Sequence, residues 1–276
     1  MTTRKTTHNA DPTMTDLLKL LVDRAADSLH LTVGVAPALR IGGKREVTEA
    51  MPLTVEQIRK LVLTVLPPPK QQELDETTFT TSTFGVKGLA KFTLTAYFQR
   101  GAPAAVIKRI PFEVPEAPKW LEPAFDWLQP GAFVVVAGKA GSGRSSAVAA
   151  LVNRINTTKN WHVLTLEDPI AYLFPNRESV IEQLDLEGPM PIEAAVQVAR
   201  TSCPDVVVVA LDDELRTASE VTGAGALTIA SLTINDAKSA ADVIRKVLTP
   251  SQLAHVPGIV WLTRPGEGRL VQLSEL

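Results

Sequence analysis

A glycine-rich loop is the stretch of this sequence with the clearest chemical meaning. It joins an apolar run, residues 133–137, to a stretch whose apolar residues recur at helical spacing. Glycines let successive backbone N–H groups turn inward on a phosphate, and the N-terminus of a following helix adds a favourable dipole. The order of strand, loop and helix therefore predicts a phosphate-binding loop rather than a simple connecting turn. Its predicted ligand-binding members are Gly138, Gly141, Ser142, Gly143, Arg144, Ser145 and Ser146.

The loop departs at one position from the pattern G-x-x-x-x-G-K-[ST], because Arg144 stands where that pattern has lysine. Arginine keeps the positive charge but is a planar fork on a longer stem, so it meets a phosphate in a different geometry. Ser145 still offers a hydroxyl to a nucleotide-bound Mg²⁺. We expect ATP or ADP to bind with Mg²⁺, and hydrolysis to be impaired. Arg144 either contacts the phosphates or folds back onto Glu167 in an empty site.

Composition narrows the class of protein. The chain has 276 residues, 45% hydrophobic and 21% charged, which is typical of a folded globular protein. A formal net charge of −2 gives no overall basic field and argues against nucleic acid as a partner. The single cysteine, Cys203, and scattered histidines favour no metal beyond nucleotide-bound Mg²⁺. The polar N-terminus and the lack of a long apolar run predict a cytoplasmic chain without direct membrane insertion.

The pattern of the chain predicts two domains. Residues 1–13 are predicted to be a disordered tail, and residues 14–112 a small α+β domain in which Thr15 caps the first helix and Thr54 begins a capping box. Five prolines from Pro111 to Pro130 then predict an extended linker, placed over residues 113–130. From residue 131 to residue 276, short apolar strands alternate with helices, which is typical of an α/β core with a mostly parallel sheet. Ligands of such sheets bind at the carboxyl ends of the strands.

The order of several motifs resembles the PilT-like pilus retraction ATPases of the type II/IV secretion (GspE/PilT) superfamily, over about residues 14–248. The motifs are Ser28-Leu29-His30-Leu31-Thr32-Val33-Gly34, Arg109-Ile110-Pro111, the glycine loop, Thr165-Leu166-Glu167-Asp168-Pro169-Ile170 and Cys203-Pro204-Asp205. The resemblance implies a PAS-like N-terminal domain and a RecA-like P-loop core that together enclose ATP. It also implies hexameric rings that act on type IV pili at the inner membrane, through its platform proteins.

The resemblance assigns roles to some residues that are present. Glu167 matches the acid that the family uses to orient or activate the attacking water, a task for a carboxylate near the γ-phosphate. Arg100 and Arg109 lie near the positions from which family arginines reach the nucleotide. Those positions themselves hold Lys91, Thr93 and Lys108.

Other family positions have changed. Leu211 stands where the family has its Walker B acid; Asp212 follows, but a shift of one residue along a strand turns a side chain to the other face. Asp212 is therefore a possible substitute rather than an expected one. Thr233 replaces the family's box histidine, and Leu184 replaces an arginine after the acidic box. The resemblance also leads us to expect a C-terminal truncation, because no counterpart of the family's C-terminal helical domain follows residue 273.

These observations leave three functions open. The first is a catalytically degenerate, nucleotide-binding partner of a pilus or secretion motor, in a homo-hexamer or a mixed ring with an active PilT-like ATPase. The second is an active hexameric ATPase that powers pilus retraction with Asp212 or Asp213 as its acid. The third is an interaction scaffold that binds no nucleotide.

Overall fold

The chain divides between Ile110 and Pro111 into two compact units. The computed structural model describes residues 12–186, 190–211, 215–223 and 225–275. Among these residues no helix combines the length and the apolar character needed to cross a membrane.

The N-terminal unit is built on one antiparallel sheet. Thr54 forms the predicted capping box with Gln57, but the first helix is capped by Thr13 and not by Thr15, because the Thr13 hydroxyl accepts from the backbone N–H of Asp16. The strands run in the order β3-β2-β1-β6-β5-β4, which confirms a small α+β domain. The elements are α1 (Met14–Asp23), β1 (Ser28–Thr32), β2 (Ala38–Ile41), β3 (Lys44–Val47), α2 (Val55–Val65), α3 (Pro68–Thr77), β4 (Phe79–Val86), β5 (Ala90–Gln99) and β6 (Ala102–Ile110).

Alternation along the strands sends one face of this sheet into a core and leaves the other open. On β1, Leu29 and Leu31 are fully buried and pack in the cluster that also holds Leu18 of α1 and Ile58 of α2. The residues between them, such as His30, lie on the opposite face of the sheet. The helices therefore cover a single face.

The C-terminal unit is built on a seven-stranded sheet in the order β13-β12-β7-β11-β10-β8-β9. Only the β12–β13 pair is antiparallel, so the prediction of a mostly parallel sheet is confirmed. The elements are a 3₁₀ helix (Lys119–Trp127), β7 (Phe133–Gly138), α4 (Arg144–Thr158), β8 (His162–Glu167), β9 (Val180–Asp185), α5 (Ile192–Ser202), β10 (Val206–Ala210), α6 (Leu215–Val221), β11 (Leu227–Thr233), α7 (Ala237–Val247), α8 (Pro250–Leu253), β12 (Ile259–Arg264), β13 (Glu267–Val271) and a 3₁₀ turn (Leu273–Glu275).

Both faces of this second sheet are covered, which explains the run of valines in its strands. On β7, Val134 and Val136 pack in the cluster that contains Leu151 of α4. Val135 belongs to the cluster on the other face, with Ile244 of α7. A parallel strand buried on both faces is apolar throughout. The sheet thereby holds the carboxyl ends of β7, β11, β10 and β8 side by side.

The proline-rich segment 113–130 differs from the extended linker that its composition predicts. It contains the 3₁₀ helix Lys119–Trp127, whose Leu121 is fully buried against the core of the second unit. Trp120 donates from its indole nitrogen to the carbonyl oxygen of Gly266 at 2.9 Å. The apolar side chains between the prolines therefore attach this segment to the C-terminal unit.

Candidate nucleotide-binding site

The loop between β7 and α4 has a backbone that only glycine accommodates. Gly138 is buried at the end of β7, where an added Cβ would lie 2.6 Å from Ser142 Oγ and 2.7 Å from the carbonyl oxygen of Leu262. Gly141 and Gly143 have φ angles of 76° and 93°, in the left-handed region that disfavours other residues. The compact turn thus depends on these three glycines.

The start of α4 offers unoccupied hydrogen-bond donors to a phosphate. The N-cap, Gly143, has no side chain to accept from the first-turn N–H groups of this 15-residue helix. The Ser142 hydroxyl, only 3% exposed, is without a hydrogen-bond partner in the part of the chain that the structure describes. Ser145 is exposed in the first turn of α4, where its hydroxyl suits a nucleotide-bound Mg²⁺. The arrangement fits a phosphate group.

Arg144 is directed toward the strand next to the loop strand. Its Nη1 donates to the Oγ of Ser231, 3.0 Å away near the end of β11. The sequence analysis assigned no role to Ser231. This residue lies two positions before Thr233, which replaces the family's box histidine. The Arg144 side chain therefore links the start of α4 to β11, the strand that lies between β7 and β10.

Glu167 ends β8 as a buried carboxyl group, 6% exposed. Three donors hold it: the Thr165 hydroxyl at 2.7 Å and the Gln183 amide at 2.9 Å from Oε1, and the Ala171 backbone N–H at 3.1 Å from Oε2. Burial raises the pKa of Glu167, the charge of Asp185 adds to the rise, and the three donors oppose it. The balance favours a protonated carboxyl group over a wider pH range than for an exposed glutamate.

Residues 168–174, here called the strap, lie over a cavity of about 300 Å³ beside Glu167 and Arg144. The Tyr172 and Ser146 hydroxyls are 2.9 Å apart and join the strap to α4. Gln183 donates to the Tyr172 carbonyl oxygen at 2.8 Å and accepts from the Phe174 N–H at 3.1 Å. Sequence reasoning assigned no role to Tyr172 or Gln183, since nothing local to either residue indicates a partner so far along the chain.

The position that the resemblance assigns to the Walker B acid is apolar. β10 is a buried valine strand, and Leu211, which follows it, is 5% exposed and packs in the core with Val207 and Val209. Asp212 lies outside the described residues, so its proposed substitution is not tested. The described residues contain no group of three His, Cys, Asp or Glu side chains placed to hold a metal ion.

Comparison with known proteins shows what the chain is similar to. A family model described as "Type II/IV secretion system protein" matches residues 125–250. The type IV pilus retraction ATPase PilT of Pseudomonas aeruginosa is 28% identical over 208 residues, covering 74% of this chain and 60% of PilT. The type IV pilus ATPase PilU of the same species is 26% identical, covering 83% and 62%. The crystal structure of the pilus retraction motor PilT with bound ADP superposes with a TM-score of 0.77 at 26% identity, covering 91% of this chain and 78% of that one. The chain is homologous to PilT and PilU and has the fold of PilT, and these similarities support a place in the GspE/PilT superfamily.

The same fold occurs in a solved structure that is less similar in sequence. The Legionella pneumophila ATPase DotB has the same fold, with a TM-score of 0.67 at 18% identity. The chain spans about three fifths of the length of its curated relatives PilT and PilU.

Two arginines that the superfamily resemblance links to the nucleotide, Arg100 and Arg109, lie in the N-terminal unit. Arg100 is exposed, with a φ of 52°, in the turn between β5 and β6. Arg109 is exposed on β6, opposite Phe92 of β5. Their role at the nucleotide stays a prediction.

Proposed function

We propose that this GspE/PilT superfamily member binds ATP or ADP at the loop of residues 138–146 but has lost efficient hydrolysis. In this proposal it acts as a regulatory or structural partner of a type IV pilus or secretion motor. It assembles as a homo-hexamer or in a mixed ring with an active homologue, and it reaches the inner membrane only through platform proteins of the pilus. Its relatives support a role in a type IV pilus system, because PilT and PilU are named as pilus ATPases and the solved PilT structure contains ADP.

The burial of Leu211 is the observation that carries the loss of hydrolysis. Catalysis of phosphoryl transfer depends on charge stabilisation by Mg²⁺ and on the acids that hold its ligands. At the end of β10 the chain instead directs a leucine side chain into the hydrophobic core. Removing one preorganised contact of this kind typically lowers kcat by about 10²–10³-fold.

The state of Glu167 supports the same conclusion. A general base must direct an oxygen lone pair at the attacking water, so its carboxylate oxygens need to be available to that water. Both of its oxygens already accept hydrogen bonds from Thr165, Gln183 and Ala171. Glu167 is thus better suited to fixing the strap than to activating water.

Binding makes fewer demands than hydrolysis. The glycine backbone and the first turn of α4 supply N–H groups to the phosphates, and Arg144 supplies a positive charge. Ser145 would contribute a hydroxyl to Mg²⁺, which neutralises phosphate charge when it is bound. None of these contacts requires the acid that Leu211 replaces.

Calorimetry with ATP and Mg²⁺, together with a phosphate-release assay on the full chain, tests the proposal. We expect binding without turnover above background. Gly143→Ala is the loss-of-binding control, because its Cβ would lie 3.2 Å from Pro265 Cα at a left-handed φ. Turnover that both Glu167→Gln and Asp212→Ala abolish would instead establish an active ATPase. Absence of binding in the folded wild-type chain would favour the scaffold.

The partner role is tested separately from nucleotide binding. The chain is mixed with a purified, active PilT-like ATPase from the same organism, and ring composition is measured by native mass spectrometry. We expect rings that contain both chains and whose ATPase rate differs from that of the active protein alone. If each chain formed rings only with itself and the ATPase rate of the active protein did not change, the partner role would be wrong.

A further inference from the structure

The open face of the N-terminal sheet carries a positively charged cavity that the proposed function does not use. The cavity has a volume of about 360 Å³ and lies between the loop after β1 and the β2–β3 hairpin. Its lining includes His30, Thr32, Ala36, Arg40, Gly43 and Arg45. We propose that this cavity is a binding site for a small molecule that bears a phosphate group.

Strand register places like charges together at this site. Arg40 of β2 lies directly opposite Arg45 of β3, and on its other side Arg40 pairs with Ser28 of β1. Like charges directly opposite one another destabilise a pair of strands. Packing does not require either charge, because both arginines are exposed. An anion between the two guanidinium groups would turn this repulsion into binding energy.

Carboxylates do not neutralise this charge. Over the residues that the structure describes, no ion pair is recorded for Arg40, Arg45 or the nearby Lys108. Glu46 of β3 alternates to the other face, where it pairs with Arg24 at 2.6 Å. Asp27 is not among the residues that line the cavity, and its carboxylate accepts from the Gly43 N–H at 3.2 Å in the hairpin turn.

The polar groups and walls of the cavity suit a phosphate ester. Arginine forks match the spacing of phosphate oxygens, and the Thr32 hydroxyl supplies a further hydrogen-bond donor. Ala36 and Ala38 are buried and give an apolar wall on which the rest of a ligand can pack. His30 reports the local field: burial lowers its pKa, and the charges of Arg40, Arg45 and Lys108 lower it further. A bound anion would offset those charges and raise the pKa of His30.

The test follows the His30 imidazole by NMR in the full chain as inorganic phosphate, and separately ATP, is added. We expect saturable shifts of His30 and a rise in its pKa. Arg40→Gln and Arg45→Gln should each weaken binding by at least about tenfold, the effect of losing one charge-assisted hydrogen bond. Arg59→Gln is the matched control, since it removes the same charge from an exposed pair with Asp75 elsewhere in the unit. It should change affinity less than about twofold.

Each outcome has a defined meaning. A shift with both probes shows that the phosphate group is sufficient. A shift with ATP alone that persists in Gly143→Ala, in which the loop site is disrupted, shows that the cavity takes a nucleotide. Unshifted His30 signals with both probes would overturn the proposal, as would equal weakening by Arg59→Gln and Arg40→Gln. Thermal unfolding without phosphate is an independent readout. There Arg40→Gln should leave the midpoint unchanged or raise it, because it removes a repulsive pair; a large fall would show that Arg40 is structural.

Discussion

Arg144 and Ser231 are 87 residues apart in sequence, yet their side chains are joined by a 3.0 Å hydrogen bond from Nη1 to Oγ. The contact links the first residue of α4 to β11, the strand that lies between the loop strand β7 and the apolar strand β10. The Arg144 guanidinium is thus held against the sheet by a hydrogen bond to β11. Its direction follows from the sheet order.

Arg144→Ala is expected to weaken ATP binding at least about tenfold, because a hydrogen bond to a charged group contributes about 1.5–3 kcal/mol. Lys139→Ala is the matched control, since it removes the same charge from an exposed position of the same loop. It should weaken binding less than about threefold. Calorimetry with ATP and Mg²⁺ measures both. Equal losses would mean that only the net charge of the loop matters.

Gly138→Ala should disrupt the loop from its buried end. The new Cβ would lie 2.6 Å from Ser142 Oγ and 2.7 Å from the Leu262 carbonyl oxygen, and the latter belongs to the backbone of β12. We expect the free energy of unfolding to fall by about 1–3 kcal/mol and ATP binding to be lost. In Gly223→Ala the Cβ would meet only Ala226 Cβ at 3.9 Å, so stability should change little. Urea denaturation compares the two; a fully stable Gly138→Ala protein would contradict the expectation.

Glu167 should make stability depend on pH. Between its ordinary pKa and the raised value, the folded chain holds a proton that the unfolded chain has released. The free energy of unfolding therefore falls as pH rises through that window. Above the window, Glu167 no longer makes the free energy of unfolding change with pH. Glu167→Gln should remove this part of the slope, whereas Glu178→Gln, which changes an exposed carboxylate, should keep it. Parallel urea titrations across the acid to neutral range measure the slopes, and identical slopes would exclude a raised pKa.

Local sequence patterns were sufficient to predict most of the fold. The capping box at Thr54 and the strand before the glycine loop were predicted correctly because each depends on neighbours within a few residues. The 3₁₀ helix at Lys119–Trp127 was missed, because proline density indicates a linker and the burial of Leu121 depends on the core it meets.

The site was harder to predict because its contacts are long-range. The glycine loop could be recognised, since left-handed φ values at Gly141 and Gly143 are a local requirement. The hydrogen bond from the Gln183 amide to the Glu167 carboxyl group joins residues that are 16 positions apart. It forms only when β8 and β9 pair in register. No spacing rule along the chain anticipates such a contact.

The Ser146–Tyr172 contact offers a direct measurement of coupling between the loop helix and the strap. The two hydroxyls are 2.9 Å apart, so Ser146→Ala and Tyr172→Phe remove the same hydrogen bond from opposite sides. Each change should cost about 0.5–1.5 kcal/mol, and the double variant little more than either one. Tyr97→Phe is the control, because this other half-buried tyrosine lies on β5 of the N-terminal unit. Its effect should add to that of Ser146→Ala. Additive losses for Ser146 and Tyr172 would show that the hydrogen bond does not connect the strap to the loop helix.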